Sequence, residues 1–386
     1  MATLIAAAFL WIMQVLPAAV IGLVAVEVLV FPSLYAPMLH AELGWAPITI
    51  AAVMGTWSAA TAFAARLAVR LAGPAVFLPF ALLGAGAAAG GMVAVQASTA
   101  PWQFLACFFA SGLGYGILAG AAWSRLRVLL GWGGAVPLLS AAAAGIALAA
   151  GVPFFGRDVL VARGWRAASV LGGLATGAGG IALLSLGHAF ERRIGSAPLA
   201  PDTTSEDAQR QQYRVWRSGA LSGWGRVSCR AFWLEVAFAG SVVVPLALRH
   251  GLSQEEVLGR LAWPGVAMVA TAWLWLFLGA SRTGRLRRLA PPVALAIGVV
   301  GLAVTSSGAA VLPWTIAIAV PVTVGALWVP VPLDERDGPF LAGGGVALAV
   351  FGWQTGWRLD ALAYALAGVL IAAVLLDLAF VRTRDS

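Results

Sequence analysis

Runs of about twenty apolar residues recur along the whole chain, separated by short polar or Arg-bearing breaks. A helix of that length matches the hydrocarbon thickness of a bilayer. Inside hydrocarbon the backbone must satisfy its own N–H and C=O groups, so such runs fold as helices. The charge content agrees. Hydrophobic residues make up 61% of the chain and charged residues 10%, whereas a soluble domain carries about 25% charged residues. So few charges cannot coat a water-facing surface. That excludes an ordinary soluble enzyme, a disordered regulator and a nucleic-acid-binding module. The formal net charge of +8 is dispersed rather than gathered on one basic face, so no nucleic-acid partner is expected. The expected class is an all-α integral membrane protein. At about 20 residues per span plus short loops, the chain holds about twelve spans.

The spans are expected near 13–39, 47–65, 75–97, 101–124, 130–155 and 167–190, then 228–248, 257–280, 291–306, 313–331, 339–353 and 361–380. The eleventh is short and carries Gly343, Gly344 and Gly345. Between the sixth and seventh spans lies the one long hydrophilic stretch, 191–227, with Pro198, Pro201, Asp202, Glu206, Asp207 and several Arg. The chain therefore divides into an N-terminal six-helix bundle (1–190), a linker (191–227) and a C-terminal six-helix bundle (228–386). The N-terminal apolar run has no basic leader and reads as an uncleaved first span.

All 24 basic residues are Arg, and their placement orients the chain. With the N-terminus inside and spans alternating, 18 Arg fall inside and 6 outside. Cytoplasmic loops carry the excess of Lys and Arg. Both termini are thus expected in the cytoplasm, and the Arg-rich, Ala/Gly-rich composition points to a bacterial cytoplasmic (inner) membrane. The two cysteines, Cys107 and Cys229, offer neither a disulfide nor metal-ligand spacing. No cofactor is expected.

A repeat links the halves. Gly164-Trp165-Arg166 precedes the sixth span and Gly356-Trp357-Arg358 the twelfth. Glu27-Val28 stands before Pro37 at the spacing at which Glu235-Val236 stands before Pro245. Repeats of this kind are a transporter architecture, with the site near the midplane between them.

Several motifs resemble the major facilitator superfamily, most closely its monocarboxylate and oxalate/formate antiporter branch. They are Phe31-Pro32-Ser33-Leu34-Tyr35-Ala36-Pro37 followed by Leu43-Gly44-Trp45, Gly112-Leu113-Gly114-Tyr115-Gly116, Pro153 through Gly164-Trp165-Arg166, and Arg230-Ala231-Phe232-Trp233. The segment Arg66–Pro74 resembles the superfamily's cytoplasmic signature loop, with Arg70, Gly73 and Pro74 in place and Val69 where that loop has Asp. The eighth span has no mid-helix Arg of the sort the monocarboxylate branch uses for its anion. The resemblance implies two six-helix bundles that rock about a central cavity.

An ionisable group in hydrocarbon is costly and usually faces a cavity or a partner. Glu27 is thirteen residues before His40 at the outer end, about 20 Å along a helix, which puts it near mid-membrane. Glu235 has a matching place in the second half. Both are candidates for proton coupling or for holding a cationic or hydroxylated solute. The competing reading is a carboxyl held by a neighbouring helix for structure alone. Tyr35, Trp57, Tyr115, Trp263 and Trp273 are candidate cavity residues, against interfacial anchoring or packing. Arg66, Arg70, Gly73, Arg285 and Arg288 fall in equivalent loops and are candidates for a cytoplasmic gate, against topology-setting charge alone. The three Gly of 112–116 read as close helix packing, and Ser253-Gln254-Glu255-Glu256 as a capping box opening the eighth span. No catalytic set and no metal cluster is visible, so no enzyme activity is expected.

The expected function is secondary active transport of a small solute by alternating access, proton-coupled, by a monomer. The solute would be an organic anion by resemblance, or a neutral or cationic compound exchanged for protons by the acidic spans. The rival is a transporter-fold sensor or pseudotransporter that binds a solute without moving it.

Overall fold

The computed structural model describes residues 2–71, 77–130, 135–194, 223–278, 285–305, 307–328, 338–354 and 359–382. Every element among them is helical. The first span comprises Ala2–Leu29 continued, after a break at Val30, by Phe31–Leu43. The second is Pro47–Leu71, the third Phe77–Ala94, and the fourth Pro101–Leu130. The fifth begins as Ala135–Ile146 and runs on through two wider-wound segments to Val161. The sixth is Ala162–Ile194 and the seventh Gly223–Arg249. The eighth joins Gln254–Arg260 to Ala262–Leu278. The last four are Arg285–Val304, Gly308–Trp328, Gly338–Gln354 and Leu359–Arg382. Among the described residues nine helical stretches are long and apolar enough to cross a bilayer, and Leu138–Gly151 and Leu289–Val304 are shorter apolar helices. The protein is a multi-pass membrane protein.

Local chemistry sets several boundaries. Gly44 ends the first span with φ 62° and gives its N–H to the His40 carbonyl, a left-handed cap that glycine adopts without a Cβ penalty. Gly164, at φ 80°, puts a non-helical residue near the start of the sixth span. Ser253 opens the eighth span with a reciprocal capping box to Glu256, as its sequence signature predicts.

The helix pairing repeats. In the first half the second span packs on the fourth, the third on the fourth and sixth, and the first on the fifth and sixth. Adding six to each number gives packed pairs of the second half: eighth on tenth, ninth on tenth and twelfth, seventh on eleventh and twelfth. Between the halves, the second span packs on the eleventh and the fifth on the eighth. Exchanging the halves turns one of these contacts into the other.

Glycine makes both inter-half crossings close. A Cβ on Gly343 would fall 2.6 Å from the Gly55 carbonyl oxygen, and a Cβ on Gly265 would fall 2.5 Å from that of Gly145. Within the first half, Gly112, Gly116 and Gly120 put one face of the fourth span on the carbonyls of Trp57, Thr61 and Ala65. Gly114 faces Ala88 and Gly84 of the third span instead. The close-packing reading of this glycine run therefore holds, and small residues let the helix backbones approach.

Candidate functional site

The first span breaks where its backbone cannot continue bonding. Pro32 has no N–H, so the Val28 carbonyl loses its helical donor. Ser58 Oγ, from the second span, donates to it at 2.6 Å. The Ser33 N–H goes to the Val30 carbonyl at 3.2 Å instead of to Leu29. The Leu29 carbonyl accepts from Ser241 Oγ at 2.8 Å. Ser241 lies on the seventh span, so this bond joins the two halves. Near the Gly44 end a second inter-half bond runs from Gln354 Nε2 to the Ala36 carbonyl at 3.2 Å.

Glu27 lies one turn before the break and is buried. Thr176 Oγ1, on the sixth span, donates to Glu27 Oε1 at 3.4 Å. Tyr35 lies beyond the break and is also buried. Its ring stacks on Trp57 at 6.2 Å and 12°, and Trp57 meets Tyr115 at 6.0 Å and Phe108 at 5.1 Å. Glu27 is within electrostatic reach of both phenols. Four of the sequence candidates, Glu27, Tyr35, Trp57 and Tyr115, are thus brought together inside the first half. Ser169 and Ser111 approach the two phenol hydroxyls. Even so, the Tyr35 and Tyr115 hydroxyls, Trp57 Nε1 and Ser111 Oγ are buried without a hydrogen bond. The cluster thus buries several donors beside an intramembrane carboxyl, and unmet hydrogen-bonding capacity there is costly.

Glu235, the repeat counterpart of Glu27, is fully buried on the seventh span, and neither carboxyl oxygen has a hydrogen-bond partner. It is not part of the Glu27 cluster. Trp263 and Trp273 are 57% and 47% exposed on the eighth span and do not line the cavity between the halves. Arg66 is half-buried and Arg70 exposed at the last turns of the second span, where Ser124 Oγ donates to the Val69 carbonyl at 3.4 Å. Gly73 lies outside the described residues, as do the side chains of Arg285 and Arg288, the second Gly-Trp-Arg copy and most of the 191–227 linker.

A cavity of about 130 Å³ opens between the halves. Ala25, Val26, Leu29 and Val30 line it from the first span and Ala144 and Leu148 from the fifth. The seventh, eighth and tenth spans close the other side, with Val236, Met268, Thr315 and Ile318 among them. None of the described sequence candidates lines it. Ser58, Ser111, Thr176 and Ser241 also escaped the sequence reading, although Pro32 was a visible signal for the break that Ser58 and Ser241 serve.

No family model matches the sequence, and no curated protein does. Solved structures match over nearly the whole length. The partially occluded, inward-open xylose transporter XylE from E. coli aligns with a TM-score of 0.64 and 11% identity over 97% of this chain and 98% of that one. The proton:xylose symporter XylE bound to 6-bromo-6-deoxy-D-glucose, of the major facilitator superfamily, aligns at 0.60 and 14% over 97% and 96%. The chain has the major facilitator fold. A POT family transporter in complex with 5-aminolevulinic acid aligns at 0.59 and 12% over 96% and 95%. The crossing of the fifth and eighth spans borders the cavity. Here Glu27 and the cavity lie on different faces of the broken first span.

Proposed function

We propose that this chain is a secondary active transporter that moves a small solute by alternating access and couples the movement to protons through Glu27. The observation that carries the reading is the Glu27 cluster. A buried carboxyl with one long hydroxyl contact, within electrostatic reach of the Tyr35 and Tyr115 phenols that meet on Trp57, sits one turn from the break in the first span. Intramembrane carboxyls of this kind mark proton relays. A proton on Glu27 removes a charge from beside the break, so its arrival and departure bias the bent span that lines the inter-half cavity. The two residue bundles 1–190 and 228–386 are the rocking units, joined by 191–227. The fold shared with proton-coupled XylE supports the class. The Arg asymmetry supports termini on the cytoplasmic side of a bacterial inner membrane, with the Gly44 end outward. The monocarboxylate branch has less support, because among the described residues no cationic one lines the cavity. The protein acts as a monomer.

The test uses proteoliposomes loaded with a pH-sensitive dye, with wild type and Glu27→Gln challenged by a panel of small solutes. In wild type a solute gradient should move protons. In Glu27→Gln, solute counterflow should persist while proton movement is lost. Wild-type proton movement in Glu27→Gln would remove the coupling role. Solute binding with no counterflow in wild type would identify the protein as a transporter-fold sensor.

A further inference from the structure

The lining of the inter-half cavity restricts what it can hold. Val26, Leu148, Val236, Met268 and Ile318 present hydrocarbon or thioether to it, and among the described residues Thr315 is the one that brings a hydroxyl. That hydroxyl donates to the Leu312 carbonyl at 2.8 Å, so its hydrogen is already used. Among the described residues no charged side chain lines the space; Arg260, in a small adjoining pocket that shares Val243, Leu261 and Thr315, gives Nη1–H to the Gly308 carbonyl at 2.7 Å. A trapped water needs two to four polar partners, and this lining does not supply them. An engineered hydrocarbon-lined cavity of about 150 Å³ stays dry and binds benzene, and this one has a volume of about 130 Å³.

Glu27 does not alter that chemistry. At 100° per residue it projects about 130° from the mean direction of Ala25, Val26, Leu29 and Val30, which line the cavity. Its hydroxyl partner Thr176 belongs to the sixth span, which contributes nothing to the lining. Glu235 precedes Val236 but does not line the cavity itself.

We propose that the cavity binds a neutral, predominantly hydrocarbon solute about the size of one aromatic ring, at a place separate from the buried carboxyls. Taking such an occupant as cargo rests on the transporter reading above. A carboxylate or ammonium group would meet no countercharge on the described lining, and burying an unpaired charge is strongly unfavourable. A neutral ring exchanges water for Val, Leu, Ile and Met contacts and touches both halves at once. An occupant of both walls is what alternating access requires of its load.

The test is direct binding to the full-length protein in nanodiscs, read by ¹⁹F NMR, with empty nanodiscs as the partition control. The probes are 4-fluorobenzyl alcohol, 4-fluorobenzoate and 4-fluorobenzylammonium. The alcohol should bind about 100-fold more tightly than either ion. Ala319→Phe, which fills the cavity, should abolish alcohol binding. Ile318→Ala, which enlarges it, should admit (6-fluoro-2-naphthyl)methanol, a gain that a misfolded variant cannot give. The inference is overturned if either ion binds as well as the alcohol, or if neither variant alters binding. Because this readout needs no flux, the two readings fail separately. No alcohol binding alongside Glu27-dependent proton movement overturns the cavity assignment alone. Alcohol binding that Ala319→Phe abolishes, with no counterflow of any solute, supports the assignment and overturns only transport.

Discussion

Ser241 Oγ, on the seventh span, donates to the carbonyl of Leu29, on the first, at 2.8 Å. The acceptor is available because the Ser33 N–H has moved to Val30. One hydrogen bond therefore ties the second half to the broken helix of the first, beside the cavity that Leu29 and Val30 line. Any motion that separates the halves there must break it.

Ser241→Ala is accordingly expected to favour separation at this point. A neutral hydrogen bond is worth about 1 kcal/mol net, or about a fivefold shift in the open-to-closed ratio. A cysteine placed at Val30, with Cys107 and Cys229 replaced by Ser, should react several-fold faster with a membrane-impermeant thiol reagent when Ser241 is Ala. Equal rates would show that the bond does not hold the halves.

The break itself tests the role of Pro32. Ser58→Ala leaves the Val28 carbonyl buried without its donor and should cost about 1–3 kcal/mol. Pro32→Ala restores an N–H that can reach Val28, so the loss from Ser58→Ala should shrink in a Pro32→Ala background. Thermal unfolding of the four proteins in detergent completes the cycle. Additive losses would contradict the shared carbonyl.

Glycines should differ sharply by position. A Cβ at Gly116 would run into the Thr61 carbonyl, and backbone cannot yield as a flexible side chain can. Gly86 faces open space. Gly116→Ala should lower the melting temperature by several degrees. Gly86→Ala, in a helix interior, should be neutral or stabilising by up to about 1 kcal/mol. Similar melting temperatures for the two variants would refute the close packing of the second and fourth spans.

His250 gives a pH-dependent expectation. It lies between the seventh and eighth spans, and burial followed by the neighbouring Arg249 holds its imidazole below the ordinary value of 6.5, against a contrary backbone hydrogen bond at Leu302. The unfolded chain then binds the proton more readily than the folded one. Stability should be full above pH 6.5 and fall as pH drops through and below it. His250→Gln should flatten that part of the melting-temperature profile. An unchanged profile would assign the acid loss elsewhere.

The spans were legible because hydrocarbon imposes a length and a composition that can be counted along the chain. The short, glycine-rich eleventh span, expected near 339–353, is the helix Gly338–Gln354. The first span was legible in extent but not in shape. Its apolar run continues through Val30, and only Pro32 marks the missing donor. Of the candidate site, Glu27 and Tyr35 could be placed together from their spacing on one helix. Trp57 and Tyr115 join them only because the glycine stripe of the fourth span lets it sit against the second. Trp263 and Trp273 share the composition of cavity residues but turn outward, since an apolar helix face packs inward or meets lipid with nearly the same sequence.

The amino-acid sequence by itself determined an all-helical membrane chain of about twelve spans, its internal repeat and the scarcity of its intramembrane acids. These follow from local rules: hydropathy, chain length and the cost of a charge in hydrocarbon. Tertiary structure alone decided that Glu27 faces Thr176 while the inter-half cavity is walled with hydrocarbon. Both lie against one span, and which of its faces meets which neighbour is fixed by helix crossings between residues far apart in the chain. Gly55 on Gly343 and Gly145 on Gly265 set those crossings, and no local pattern encodes them.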